Sequence, residues 1–200
     1  MISLAAPVPV PRRRRRAAVA VAVVLAVVLL ASGATAGLLW AARSPGAAAV
    51  PAFDGPPGAD DGILVSSVSI LDTGEPAIAR LDPALRDAVG QASHAAAADG
   101  IVMEITSGWR SARYQQLMLD EAVTTYGSAA EASRWVASPD TSAHVSGRAV
   151  DVGPLDAQFW MMEHGARWGL CQIFANERWH YERATTPGGT CPPQRMDAAG

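Results

Sequence analysis

The chain has 200 residues, half of them hydrophobic, with sixteen basic and nineteen acidic side chains and a formal charge of −3. Every basic residue is Arg; from Ser44 onward, ten Arg stand against all nineteen acids, leaving that part at −9. Such a balance excludes a nucleic-acid binder that works through a basic footprint.

In chain order, residues 1–16 end in the run Arg12–Arg16 and read as a cytoplasmic basic segment. Residues 17–42 carry no charge. At about 1.5 Å per residue they are long enough to cross a hydrocarbon core of roughly 30 Å. Trp40 falls near the far end, and the positive-inside rule keeps the Arg run in the cytoplasm and the remainder outside. The expectation is a single-pass membrane protein with a retained signal-anchor and an extracellular domain. Ala34-Thr35-Ala36 offers the alternative of a signal peptide cleaved near Ala36 and a secreted product. Residues 43–62, rich in Pro, Gly and Ala, read as a linker, and the folded domain is expected over 63–200.

Within that domain, Ile63–Leu71 reads as a first strand. Asp82 as N-cap and Pro83 at the first helical position open a helix that runs to about Asp99 and stops at Gly100. Ile101–Thr106 reads as a buried strand. A helix from Ser111 ends at Tyr126 before Gly127, and Ser128 with Glu131 forms a capping box for a short helix. Ala149–Gly153 is a strand, Asp156 caps a helix carrying Phe159 to Met162, and Leu170–Ala175 and Arg178–Glu182 are further strands. No βαβ rhythm runs through these elements, so the expected class is α+β, with helices packed on a small, largely antiparallel sheet. Cys171 and Cys191, outside the cytoplasm, are most simply a disulfide. It closes a loop of about twenty residues and contributes roughly 3 kcal/mol in the chain-entropy model.

Two of the four His, His144 and His180, lie in short segments that also carry acids. His144, Asp151 and His180 can supply the two imidazoles and one carboxylate that a catalytic zinc uses, with a fourth position open to water. Glu177 is the first candidate for a general base and Glu182 the second. Glu182 can also share a strand face with His180 and orient it. By spacing alone, the same residues also fit an ordinary hydrogen-bonded His–Asp pair. His94 reads as a surface or edge residue, His164 as packing near a helix end, and Asp140 and Asp156 as caps or turn formers. Trp109, Trp168 and Trp179 read as core or cleft wall.

The pattern Ser142-x-His144-x-x-Gly147-x-Ala149-x-Asp151, followed by Glu177-x-Trp179-His180, resembles the zinc D-alanyl-D-alanine carboxypeptidases of the VanY kind. Ser107–Ser111, followed by Tyr114-Gln115, resembles that family's upstream motif. The joint pattern runs from about Leu81 to Pro193. The resemblance implies one Zn2+ per chain held by His144, Asp151 and His180, with Glu177 as catalytic base. It implies Arg110 as the residue that stabilises substrate and oxyanion, Gln115 at a position associated with the substrate's terminal carboxylate, and Ser142 as a substrate contact. The implied partner is a peptidoglycan stem peptide ending in D-Ala-D-Ala, with no obligate protein partner. Arg178 departs from the pattern, since relatives often carry Pro there. LD-carboxypeptidases, wall endopeptidases, DD-dipeptidases and hedgehog-type zinc domains share these motifs. A catalytically silent wall-binding module is the alternative from another class, and the retained Glu177 and Arg110 count against it.

Overall fold

Asp82 and Pro83 start a helix for the expected reasons. The Asp82 carboxylate accepts from the backbone N–H groups of Ala84 and Leu85, and Pro83 has no N–H to leave unpaired. The computed structural model in which this is seen describes residues 55–199. The expected basic segment, the apolar span and most of the linker lie outside the described residues. No helix among the described residues is long and apolar enough to cross a membrane.

The helices are α1 (Pro76–Ala79), α2 (Pro83–Ala98), α3 (Ala112–Tyr126), α4 (Ala129–Ala132) and α5 (Leu155–His164). The strands are β1 (Glu104–Ser107), β2 (Ala149–Gly153), β3 (Leu170–Gln172) and β4 (His180–Arg183). The sheet has the order β1-β2-β4-β3 and every pairing is antiparallel. The α+β expectation therefore holds for the described residues. Side chains alternate across β2 and β4. Val150, Val152 and Tyr181 join the hydrophobic core with Leu85, Val89, Ala92 and Ala96 of α2 and Trp160 and Met161 of α5. The buried Ala residues of α2 let the helix lie close to its neighbours. Asp151, His180 and Glu182 alternate with those core residues and so belong to the other face.

Several local expectations are corrected. Residues 63–71 do not form a strand; Val68 alone bridges to Ile105. The Asp72 carboxylate accepts from Ser69 N (2.9 Å) and the Ser69 hydroxyl from Leu71 N (3.1 Å), so these polar side chains satisfy the backbone in place of a ladder. The next strand begins at Glu104 instead of Ile101, because Ile101 N still bonds Ala96 O (2.9 Å) at the end of α2. The helix expected to be capped by Asp156 starts at Leu155 after a cis Gly153–Pro154 bond, with Pro154 at its cap position and Asp156 inside its first turn. β3 stops at Gln172, and beyond it Phe174 pairs in parallel with Arg195. β4 starts at His180, not Arg178.

The compact unit begins at Gly55, ahead of Ile63. Asp61 is the reason: it accepts from the Ser111 hydroxyl (2.6 Å) and from Arg113 Nη1 (3.1 Å), and its carbonyl accepts from Ser111 N (2.9 Å). The Cys171–Cys191 disulfide is formed, with Cα atoms 5.6 Å apart. It fixes the segment after residue 190 against β3.

The turn that carries His144 is pinned under the start of α2. Gly147 has φ +70° and its carbonyl accepts from Asp82 N (2.8 Å). A Cβ at Gly147 would lie 2.5 Å from the Arg80 carbonyl oxygen. Both the left-handed backbone and the backbone contact oppose any side chain there. Gly147→Ala should lower the stability of the metal-free protein by about 2 kcal/mol or more, read by denaturant unfolding. An unchanged midpoint would show that the turn yields freely.

Candidate metal centre

Strand register assembles the site. Asp151 on β2 lies directly opposite His180 on β4, and His144 arrives from the turn before β2. All three are buried. His144 Nε2 and His180 Nδ1 are 3.2 Å apart, and Asp151 Oδ1 is 3.3 Å from the first and 3.4 Å from the second.

Two hydrogen bonds turn these atoms inward. His144 Nδ1–H donates to the Gly108 carbonyl (2.8 Å), which can only accept, so Nε2 presents its lone pair to the cavity. His180 Nε2–H donates to Glu182 Oε1 (3.1 Å), leaving Nδ1 to face the same point. Such partners fix ring tautomer and orientation in metal sites. Asp151 Oδ2 accepts from Arg110 Nη2 (3.0 Å), whereas Oδ1 is buried with no properly directed hydrogen bond. Donors about 2.0–2.2 Å from one tetrahedral ion lie roughly 3.3–3.6 Å from one another. The three measured separations and the orphaned Oδ1 therefore fit a small divalent cation held by His144, Asp151 and His180.

The remaining expected residues sit around this point. Glu177 is buried, with Oε2 3.7 Å from His180 Nδ1; the short turn in which His180 N bonds Glu177 O (3.1 Å) holds them side by side. Arg110 is buried, and three of its five N–H groups are taken by neighbouring side chains. Nε donates to the Ser107 hydroxyl (2.9 Å), Nη1 to Gln115 Oε1 (3.0 Å) and Nη2 to Asp151. Gln115 also donates through Nε2 to Ala137 O (2.8 Å), so it spans Arg110 and the chain on the far cavity wall. Ser142 is buried in the same wall. A cavity of about 260 Å³ opens onto all of them. Arg178 is exposed, with its guanidinium 5.4 Å from the Phe159 ring centre, and is not part of the cavity lining. His94 is exposed and His164 packs edge-on against Trp160 (4.7 Å), both as expected. Trp109 and Trp168 pack against the core, and Trp179 forms cleft wall.

Sequence reasoning missed Phe174, Trp135 and Arg195 as cavity residues. Phe174 lies against His180, with ring centres 5.0 Å apart, and the Arg195 guanidinium stacks 4.6 Å from the Phe174 ring centre. None belongs to a spaced motif. The only signal for the C-terminal wall was Cys191, whose disulfide carries that segment to the site.

The ionisable groups are strongly biased. Burial opposes charging His180, but the close Asp151 carboxylate and the hydrogen bond to Glu182 outweigh it and raise its pKa to about 9. Burial holds His144 below its ordinary value, against the pull of Asp151. Asp151 stays well below the usual carboxylate range: burial works to raise it, but the two imidazoles beside it and the Arg110 guanidinium prevail. Burial pushes Glu177 up to about 7, with His180 opposing.

Comparison with known proteins bears on this arrangement. The family model described as VanY, D-alanyl-D-alanine carboxypeptidase, matches residues 78–184. A D-alanyl-D-alanine carboxypeptidase of Enterococcus faecalis is 32% identical over 136 residues, covering 56% of this chain and 49% of that protein. The chain thus spans about half the length of this curated relative. Among solved structures, a mutant of the vancomycin resistance D,D-pentapeptidase VanY from a VanB-type cassette, in complex with Zn(II), is 29% identical with a TM-score of 0.50. That match covers 60% of this chain and 79% of the other. VanYB in complex with D-alanine-D-alanine is 29% identical with a TM-score of 0.49, over 51% of this chain and 70% of the other.

Two outcomes test the centre. In the metal-free protein His180 keeps its proton below pH about 9, and a metal must displace it. Apparent metal affinity should therefore rise about tenfold per pH unit between pH 6 and 8, measured against a competing chelator; a flat profile would remove His180 as a ligand. Glu182→Ala should weaken metal binding about 10- to 100-fold while leaving the fold intact by circular dichroism.

Proposed function

The chain belongs to the VanY D-alanyl-D-alanine carboxypeptidase family, and from that premise we propose that it is a zinc-dependent carboxypeptidase. Its substrate is a peptidoglycan stem peptide, from which it removes the terminal D-alanine. The observation that carries this reading is the convergence of His144 Nε2, Asp151 Oδ1 and His180 Nδ1, with the Glu177 carboxylate beside them. The Zn(II) held by the similar VanY structure supports zinc as the ion.

Zinc, when bound by His144, Asp151 and His180, acidifies a water molecule and polarises the scissile carbonyl. Glu177 accepts the proton of the attacking water as the new C–O bond forms at the penultimate D-alanine. It passes that proton to the nitrogen of the departing D-alanine as the C–N bond breaks. A carboxyl held near neutrality by burial suits both steps. Arg110 brings its charge to the same cavity, where negative charge develops on the carbonyl oxygen. Gln115 and Ser142 complete the wall against which the peptide lies. Residues 17–42 tether the domain to the membrane, or are cleaved near Ala36, and in both cases the domain faces the compartment that holds peptidoglycan.

The test is release of D-alanine from a muropeptide ending in D-Ala-D-Ala by the zinc-loaded full chain in detergent. Release should stop on chelation and return with zinc. Glu177→Gln should keep its zinc and lose about 10²- to 10⁴-fold in kcat. Zinc binding without release would sink the substrate assignment, and a tetrapeptide substrate run in parallel would reveal LD specificity instead.

A further inference from the structure

The turn from Gly108 to Ser111 serves the site twice. The Gly108 carbonyl orients His144 (2.8 Å), and Arg110 reaches Asp151 and the cavity. Three neighbours hold the backbone of this turn. Trp109 N donates to Ala77 O of α1 (2.8 Å), and Arg110 N donates to His144 O at the longer distance of 3.3 Å. The third neighbour is a single helical turn, Ala59–Asp61. It lies ahead of residues 78–184, the part that matches the family model.

This third contact is double. Asp61 O accepts from Ser111 N (2.9 Å), and Asp61 Oδ1 accepts from the Ser111 hydroxyl (2.6 Å). The same hydroxyl oxygen accepts from Tyr114 N (3.0 Å) and so caps α3, the helix that carries Gln115. Gln115 Oε1 in turn accepts from Arg110 Nη1 (3.0 Å). Asp61 is itself held, because Oδ2 accepts from Gly58 N (3.1 Å) and Arg113 Nη1 (3.1 Å). The next residue, Gly62, passes so close that a Cβ there would lie 2.0 Å from Trp109 O and 3.2 Å from Arg110 Cα. Its φ of +88° suits a residue without a side chain. The segment therefore closes directly on the backbone of Arg110.

We propose that Asp61 is a positioning residue for the reaction: through Ser111 it sets the turn that aims Arg110 at the cavity. The inference rests on the carboxypeptidase reading, in which Arg110 meets the charge that develops on the carbonyl oxygen. Asp61 does not line the cavity, so it acts through the turn and not on the peptide. Ser107, Gln115 and Asp151 fix the guanidinium end of Arg110. Asp61 and Ser111 fix the backbone end, and their cap on α3 places Gln115 as well. A group that stabilises developing charge must be held to within about 0.5 Å, and a misplacement of about 1 Å costs about 10²-fold in rate.

The experiment follows D-alanine release from a muropeptide ending in D-Ala-D-Ala by the zinc-loaded full chain. Asp61→Ala should lower kcat about 10- to 100-fold and change KM only a few-fold. Asp61→Asn keeps an acceptor for the Ser111 hydroxyl and should recover most of that loss. Ser111→Gly removes the hydroxyl but leaves a residue tolerated at a helix cap, so it carries the same test if Asp61→Ala does not fold. In an Arg110→Gln background, Asp61→Ala should cost little more, because the group it positions is gone. Amide exchange gives a readout without turnover. In metal-free Asp61→Ala, exchange at Ser111 should quicken about tenfold or more, while the Val152 amide, bonded to Trp179 O within the sheet, keeps its protection. Zinc stoichiometry and thermal midpoint confirm that each variant is folded and loaded. An undiminished kcat in the folded variants, or an equal further loss in the Arg110→Gln background, would overturn the inference and leave the carboxypeptidase reading in place. A parent that binds zinc and releases no D-alanine would overturn the reading, and the inference with it.

Discussion

The site depends on how one buried carboxylate divides its two oxygens. Asp151 gives Oδ2 to Arg110 and leaves Oδ1 bare between two imidazoles. A buried oxygen without a partner is costly, and here the cost falls at the point where His144 Nε2 and His180 Nδ1 also converge. Arg110 makes the division possible. Its own orientation is set by Ser107 and Gln115, and Gln115 is anchored to the backbone at Ala137. An arginine expected only to meet substrate thus has a structural task as well: it holds a metal ligand in one rotamer.

The sheet supports this through its order. β2 and β4 are the two inner strands, so the residues that need the most exact placement sit where neighbours pair them on both sides. The same alternation that sends Val150, Val152 and Tyr181 into the core sends Asp151, His180 and Glu182 to the site. Core packing and ligand placement are consequences of a single period-two pattern.

That explains which parts were legible in the sequence. Short-range chemistry was readable: Asp82 and Pro83 at α2, Ser111 at α3 and Ser128 at α4 act through atoms a few residues away. His144, Asp151, His180 and Glu177 were readable as a group because a motif states them together, and the strand register and turns bring them to one point. The failures all involve competition or distance. Residues 63–71 have strand-forming composition, but Ser69 and Asp72 offer the backbone another partner. Asp156 has the chemistry of a cap, yet Pro154 occupies the cap position and Asp156 falls inside the first turn of α5. Arg195 reaches the cavity through a disulfide and a parallel bridge, and neither leaves a local pattern. The division of Asp151 between Arg110 and the His pair is likewise a tertiary fact.

The pairing of Asp151 with His180 has one more consequence. A slip of β4 by a single residue along β2 would swing Tyr181 toward the cavity and turn His180 and Glu182 into the apolar core. The hydrogen bonds of the ladder would barely register the change, since backbone groups are alike at every position. A metal ion does register it, because only the native alignment brings all three donors together. By binding that alignment alone, the ion lowers its free energy in proportion to RT ln(1 + [metal]/Kd) and leaves the slipped forms behind. The cation proofreads the strand pairing on which its own site is built.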